Sequence, residues 1–424
     1  MDISTAAKAA KKAYINNSRI SGSVRAAALG RIADKLAAEK ETVFRANAED
    51  IAKSTKDGIA PPLLKRLLFD DAKLAGVISG LRHLARMEDP VGKTLFTTEL
   101  DDGLTLYKVS CPIGVIGVIF ESRPDALVQI SSLCLKSGNS VLLKGGSEAR
   151  ETNRALAYIV YEASLEAGIG EGWLQLLETR QEVADMLCMD EFIDLLIPRG
   201  SNEFVRYIME NTRIPVLGHA DGICHCYVDE NADTDMALNI VEDSKIQYVA
   251  VCNALETLIV HSRIAGKFLP AVKQRLDVKN VTIYGCDKTV KIIDAMHASE
   301  ETYRTEYLDY ALSVKVVESI EEAIDHINRY GSGHTDTIVT DNAVNAEMFM
   351  DLVDSANVFH NCSTRFSDGY RYGFGAEVGI STNKIHARGP VGIDGLLIYK
   401  YKLVGNGQTV SDYVKGIKKF RHSR

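Results

Sequence analysis

The sequence predicts an α/β protein with two doubly wound parallel β/α regions and a β-hairpin arm, on three observations. Strand-like and helix-like segments alternate from Gly114 to residue 217, and a second alternating region begins near Gly218. Between the helical opening and the first of these, the apolar period switches to two around Asp102-Gly103, a strong hairpin signal. Consecutive β-α units of this length build a parallel sheet with helices on both faces, and such sheets bind ligands at the carboxyl ends of their strands.

Taken in order, residues 23–53 and 62–86 carry Leu, Ile, Val and Ala at three- and four-residue intervals, with charges on the opposite face, and read as helices. Residues 93–99 and 104–110 are the hairpin strands. The continuous apolar run 115–120 suits a strand buried on both faces. Pro124 stands where a helix begins and Gly138-Asn139 where it ends. A strand at 140–143, a helix at 148–167, strands at 173–177 and 193–197 and a helix from Ser201 follow. The second region is clearest at 316–317, 320–329, 337–339, 343–352 and 358–361, and an extended stretch, 396–404, leads to a basic tail.

Bulk properties narrow the function. A chain of 424 residues needs two or three cores. Its 46% apolar and 25% charged residues are ordinary globular composition. A net charge of -8 argues against nucleic acid or an anionic membrane as the main partner. Eight scattered cysteines without a CxxC pair read as reduced thiols. No apolar run is long enough to cross a bilayer and the N-terminus lacks a signal-peptide core, so a cytoplasmic location is expected.

Cys252, in Val-Ala-Val-Cys-Asn-Ala-Leu-Glu-Thr, is the strongest chemical candidate, because a thiolate both accepts and releases an acyl group. Taken alone, any of the eight cysteines is as readily a small core residue. Lys144-Gly145-Gly146-Ser147 lies between a strand and a helix, where glycines let the backbone approach a phosphate. Pro198-Arg199-Gly200-Ser201 repeats that geometry one unit later, and the two loops together suit a pyrophosphate. Cys224-His225-Cys226 invites a metal reading, but strand alternation points His225 away from both thiols, and no metal site is expected. Arg123, Arg365 and Arg388 are either anion clamps or solvated loop arginines. His219, His334 and His386 carry no signal singly.

The segments 114–124, 135–149, 196–200, 217–225, 252–257, 333–338 and 359–390, in this order, resemble the γ-glutamyl phosphate reductases of the aldehyde dehydrogenase superfamily. The stretch ESRPDALVQI also resembles the reductase half of bifunctional pyrroline-5-carboxylate synthases; with no kinase segment before it, the monofunctional enzyme is the closer expected match. The resemblance implies an aldehyde dehydrogenase-like fold, with residues 1–93 and 113–217 binding NADP, 218–388 catalytic, and 94–112 and 389–424 an oligomerisation arm. It implies NADPH-dependent reduction of L-glutamyl 5-phosphate to L-glutamate 5-semialdehyde, in proline biosynthesis. The expected catalytic residues are Cys252, Arg123 and Asn253. Lys144, Gly145, Gly146, Ser147, Gly200, Ser201 and Glu306 would bind the cofactor, Ser147 leaving room for a 2′-phosphate. Arg123, Ser363, Thr364, Arg365 and Ser367 would meet substrate. A homo-oligomer, dimer or tetramer, is expected, with glutamate 5-kinase a candidate partner. Oxidising superfamily members carry a water-activating glutamate roughly 34 residues before the cysteine. Here that count reaches Gly218, beside His219, with no carboxylate, which suits a reductase that must keep its thioester from water.

Overall fold

The computed structural model of the chain describes residues 2–121, 123–374 and 377–422, so Ser122, Gly375 and Ala376 of the family-like stretches lie outside the described residues. Five helices open the chain: Ile3–Asn17, Gly22–Ala38, Lys40–Lys56, Pro61–Leu67 and Asp71–Arg86. Each of the two expected long helical stretches is therefore two helices. The Asp70 side chain accepts from the Lys73 amide and restarts the last of them, a cap that helical periodicity running through the break conceals.

The first sheet has four parallel strands in the order Leu174–Leu177, Ser140–Lys144, Val115–Phe120, Leu195–Arg199. Every residue of Val115–Phe120 is buried, because helices cover both faces of this strand. Leu29, Ile32, Leu36, Leu127 and Leu133 pack on one face with Val118 and Leu143, while Ala6, Ala10 and Ile208 pack on the other with Val115 and Leu142. Pro124 opens the helix Pro124–Lys136, and Gly138, at φ +76°, takes the left-handed conformation just beyond its end.

The second sheet has seven strands, all parallel, in the order Met296–His297, Thr282–Gly285, Ala311–Val317, Leu255–His261, Cys224–Val228, Thr335–Val339, Asn357–His360. Strand alternation in Cys224–Val228 separates its side chains as expected. Cys226 enters the apolar core, whereas His225 Nδ1 meets Asp336 Oδ1 at 2.8 Å. The hairpin strands are Thr94–Asp101 and Leu104–Pro112, turning at Gly103 with φ +67°. Leu397–Val404 pairs antiparallel with Leu104–Pro112 and forms an open edge of the arm. Residues 389–396 sit with the first core, where Val391, Ile393 and Leu396 are buried. No helix among the described residues is long and apolar enough to cross a membrane.

Candidate active site

Cys252 sits in the turn that enters the central strand Leu255–His261 of the second sheet. What fixes that turn is Gly222. A Cβ there would fall 2.2 Å from the Cys252 carbonyl oxygen and 2.5 Å from its Cα, so only glycine lets the two backbones touch. The Cys224 thiol donates to the same carbonyl at 3.2 Å. Beneath the turn Lys245 Nζ and Glu256 Oε2 form a wholly buried pair at 2.8 Å; burial lowers the lysine pKa and raises that of the carboxyl, both toward neutrality.

The polar loop 363–367 wraps over the thiol from the other side. Thr364 Oγ1 donates to the Asn253 carbonyl at 2.8 Å, and Asn253 Nδ2 donates to the Ser367 carbonyl at 2.7 Å. Ser363 Oγ pairs with Ser244 Oγ at 3.0 Å, and Arg365 Nε donates to Gln247 Oε1 at 3.0 Å. Ser363, Thr364 and Asn253 thus spend these polar atoms on joining the loop to the cysteine turn. Arg365 keeps a guanidinium within electrostatic reach of the thiol.

Two imidazoles complete the surroundings. The Cys252 sulfur and one ring nitrogen each of His219 and His334 lie within 4.8 Å of one another. The two rings meet edge to face at 5.0 Å. His219 Nδ1 is 2.9 Å from the Ile380 carbonyl, which can only accept, so Nδ1 carries the proton. Burial pushes the Cys252 thiol up to about 12, with Glu306 and Glu377 adding to the shift and Arg365 opposing it. In this arrangement the thiol holds its proton.

A cavity of about 680 Å³ opens between the helices Asp71–Arg86 and Pro124–Lys136 and the segment around Glu377; Arg86, Arg123, Arg199, Asp368 and Glu377 line it. Arg123 also pairs with Asp125 at 3.0 Å. Burial, followed by the neighbouring Arg123 charge, lowers the Arg199 pKa, and burial raises that of Glu377. Arg199 and Glu377, which line the cavity, are both within electrostatic reach of Cys252.

A second cavity, about 650 Å³, lies at the carboxyl ends of Val115–Phe120 and Ser140–Lys144 and is lined by Lys144, Gly145, Gly146, Ser147, Phe204 and Tyr207. A Cβ on Gly145 would come within 2.1 Å of Asn153 Nδ2, and one on Gly146 within 2.0 Å of Glu148 Oε1, so these two side chains pack on the bare glycine backbone beside the cavity. Its size and its place at the strand ends fit the adenosine half of a dinucleotide. Gly200 and Ser201 form the next loop, where a Gly200 Cβ would crowd Phe204 Cδ1 at 3.0 Å. Ser201 stands at the N-cap of Asn202–Glu210 with its side chain unused as a cap. Glu306 reaches that helix start, accepting from Asn202 Nδ2 at 2.5 Å.

The sequence does not single out Arg199, His219, His334 or Glu377 as site residues. Arg199 lies inside the family-like Leu-Ile-Pro-Arg-Gly stretch, and its position at a strand's carboxyl end is the signal that could have found it. The two histidines are 115 residues apart in sequence and become a cluster only through folding.

Comparison with known proteins places this geometry. The aldehyde dehydrogenase family model matches residues 1–292. The γ-glutamyl phosphate reductase of Acetivibrio thermocellus is 64% identical over 424 residues, covering 100% of this chain and 98% of that one. The chain belongs to the γ-glutamyl phosphate reductase family, a branch of the aldehyde dehydrogenases. The reductase of Pelotomaculum thermopropionicum is 62% identical over the same length, with 98% of that protein covered. A crystal structure of the Thermotoga maritima γ-glutamyl phosphate reductase superposes with a TM-score of 0.94 at 37% identity, covering 96% of this chain and 100% of that one. An acetylating aldehyde dehydrogenase from Geobacillus thermoglucosidasius, 15% identical with a TM-score of 0.64, shares the fold. The expected aldehyde dehydrogenase-like architecture is thus the observed one, and the family is one of oxidoreductases.

Proposed function

We propose that the chain reduces L-glutamyl 5-phosphate to L-glutamate 5-semialdehyde and phosphate with NADPH, the second step of proline biosynthesis from glutamate, through a thioester on Cys252. One observation carries the reading: two guanidinium groups, those of Arg123 and Arg199, line one cavity, and Arg199 is within electrostatic reach of the Cys252 thiol. Sulfur accepts the acyl carbon, and the cations hold a phosphate as it departs. Attack by Cys252 Sγ forms the C–S bond and breaks the C–O bond to phosphate. Arg365, anchored through Nε, presents its remaining N–H groups to the substrate carboxylate, and Ser363, Thr364 and Ser367 shape the loop that carries it. Asn253 positions the nucleophile through its bond to that loop.

NADPH, when bound, supplies the hydride that reduces the thioester. Lys144, Gly145, Gly146 and Ser147 would hold its adenosine half, Gly200 and Ser201 its pyrophosphate, and Glu306 its nicotinamide ribose. Ser147 keeps the rim small, and Arg150, paired with Glu178 at 3.2 Å, brings a cation to the same rim, which favours a 2′-phosphate. The open edge Leu397–Val404 exposes Ile398, Tyr399, Tyr401 and Leu403, and we read it as the surface through which a second copy extends the arm's sheet.

The reverse reaction tests the whole reading. Glutamate semialdehyde should reduce NADP only when phosphate is added, and Cys252→Ser should abolish the rate. Full activity without phosphate would make the chain a hydrolytic dehydrogenase instead.

A further inference from the structure

Cys252 presents a problem that the proposed function leaves open. Attack needs a thiolate, yet burial and two carboxylates, Glu306 and Glu377, hold the proton on sulfur, against the opposing pull of the Cys252 backbone amide, Arg365 and Arg199. A proton acceptor must therefore stand beside the thiol. Both carboxylates are already engaged, since Glu306 accepts from Asn202 at 2.5 Å and Glu377 Oε2 from the Gly369 amide at 2.8 Å. Two imidazoles remain, each with a ring nitrogen within 4.8 Å of the sulfur. His334 is completely enclosed, with Nδ1 at 2.8 Å from Thr335 Oγ1. His219 is partly open to the site, and the Ile380 carbonyl fixes its tautomer with the proton on Nδ1. Its Nε2 lone pair is therefore the available base. Arg199 and Asp221 are the charges facing the ring, one disfavouring and one favouring its protonation, and burial keeps it neutral at rest.

We propose that His219 is the proton-transfer residue of this site, taking the Cys252 thiol proton as sulfur attacks and returning a proton to sulfur at the end of the cycle. The inference rests on Cys252 as the acyl carrier and extends that reading. The separation closes through one bridging water or a turn of the cysteine side chain, as catalytic hydrogen bonds commonly tighten only with substrate in place. As the C–S bond forms, the S–H electron pair becomes the new bond and the proton passes to Nε2. Phosphate leaves with the C–O electron pair and takes that proton, departing as hydrogen phosphate. Once the thioester has been reduced, the C–S bond breaks, the aldehyde forms, and the released thiolate draws one proton from solvent through the same ring. That is the single proton the overall reduction consumes.

The test needs no substrate. The rate at which iodoacetamide alkylates Cys252, read by mass spectrometry of its peptide, is followed from pH 5.5 to pH 10 in wild type and in His219→Asn. Asparagine places an N–H where Nδ1–H stood, keeping the bond to Ile380 while removing Nε2. Wild type should alkylate measurably near neutral pH, and the variant should lose at least ~10-fold of that rate and rise only in the range of an unassisted thiol, about 8.5 or above. In turnover the variant should lose about 10²- to 10⁴-fold in kcat with little change in the KM for phosphate. Matching alkylation profiles for the two proteins would overturn the proposal, as would loss of the neutral-pH rate in His334→Asn but not in His219→Asn. A wild-type profile that rises only above pH 9 refutes it with no variant at all. If wild type alkylates as expected yet never reduces NADP, the proposed function fails while the His219–Cys252 coupling stands.

Discussion

Replacing Gly222 by alanine should cripple the enzyme through one methyl group. The new Cβ would lie 2.2 Å from the Cys252 carbonyl oxygen and 2.5 Å from its Cα, where ordinary contact begins at 3.4 Å. Both obstacles are backbone, so no side-chain rotation relieves them, and the turns must separate by about 1 Å, a shift that costs on the order of 10²-fold in rate when it misplaces a reacting atom. That is about 2.7 kcal/mol of transition-state stabilisation. Overpacking should also destabilise the fold by about 1–3 kcal/mol. Gly266, exposed within the helix Ser262–Leu276 and with nothing within 4 Å of its Cβ position, is the control, and alanine there should add about 0.5–1 kcal/mol of stability. The assay is phosphate-dependent NADP reduction by glutamate semialdehyde, with urea unfolding alongside. A Gly222→Ala enzyme with wild-type kcat/KM would refute the claim that this contact sets the nucleophile.

Other predictions follow from single sites. His326 is buried among Tyr303, Tyr330 and His225, and burial pushes its pKa down to about 2. The unfolded chain binds its proton near pH 6.5 and the folded chain does not, so this stability is whole above 6.5 and is lost as pH falls toward 2. At pH 5 it should cost about 2 kcal/mol, and His326→Phe should flatten the urea-midpoint slope between pH 6.5 and 5 by that amount; an unchanged slope would place the acid sensitivity elsewhere. Lys245→Met strands Glu256 in a dry core and should destabilise by about 3 kcal/mol, whereas adding Glu256→Leu should recover part of the loss; a double variant worse than the single would contradict this. Ser147→Glu sets a carboxylate at the rim of the second cavity and should lower the NADP-to-NAD ratio of kcat/KM at least ~10-fold by charge repulsion with the 2′-phosphate. An unchanged ratio would remove Ser147 from cofactor selection.

Much of the fold is legible in the sequence because its strongest signals are local. The helix Ala343–Leu352 and the strand Val115–Phe120 have the bounds their periodicity gives, and Pro124 and Gly138 mark their helix through fixed backbone preferences. Local signals also mislead. Residues 23–53 keep one apolar stripe across the break at Glu39, so they read as one helix where two form. Among the candidate site residues, Cys252 is legible by its chemistry and the two glycine loops by their position after a strand. Arg199 is not, because a guanidinium at a strand end becomes part of the site only when Arg123, 76 positions earlier, is folded against the same cavity.

The sequence by itself pointed to the alternation of strands and helices, the hairpin at Gly103, Cys252 as the thiol to weigh, and the family to which the chain belongs. These depend on residue spacing along the chain and on a nucleophile's intrinsic chemistry. Tertiary structure alone decided that Gly222 sets the Cys252 turn, that Ser363 and Thr364 brace it, and that His219 stands beside the sulfur. Each of those is a distance between segments 30 to 119 residues apart, fixed by the strand order of the second sheet and the burial around it.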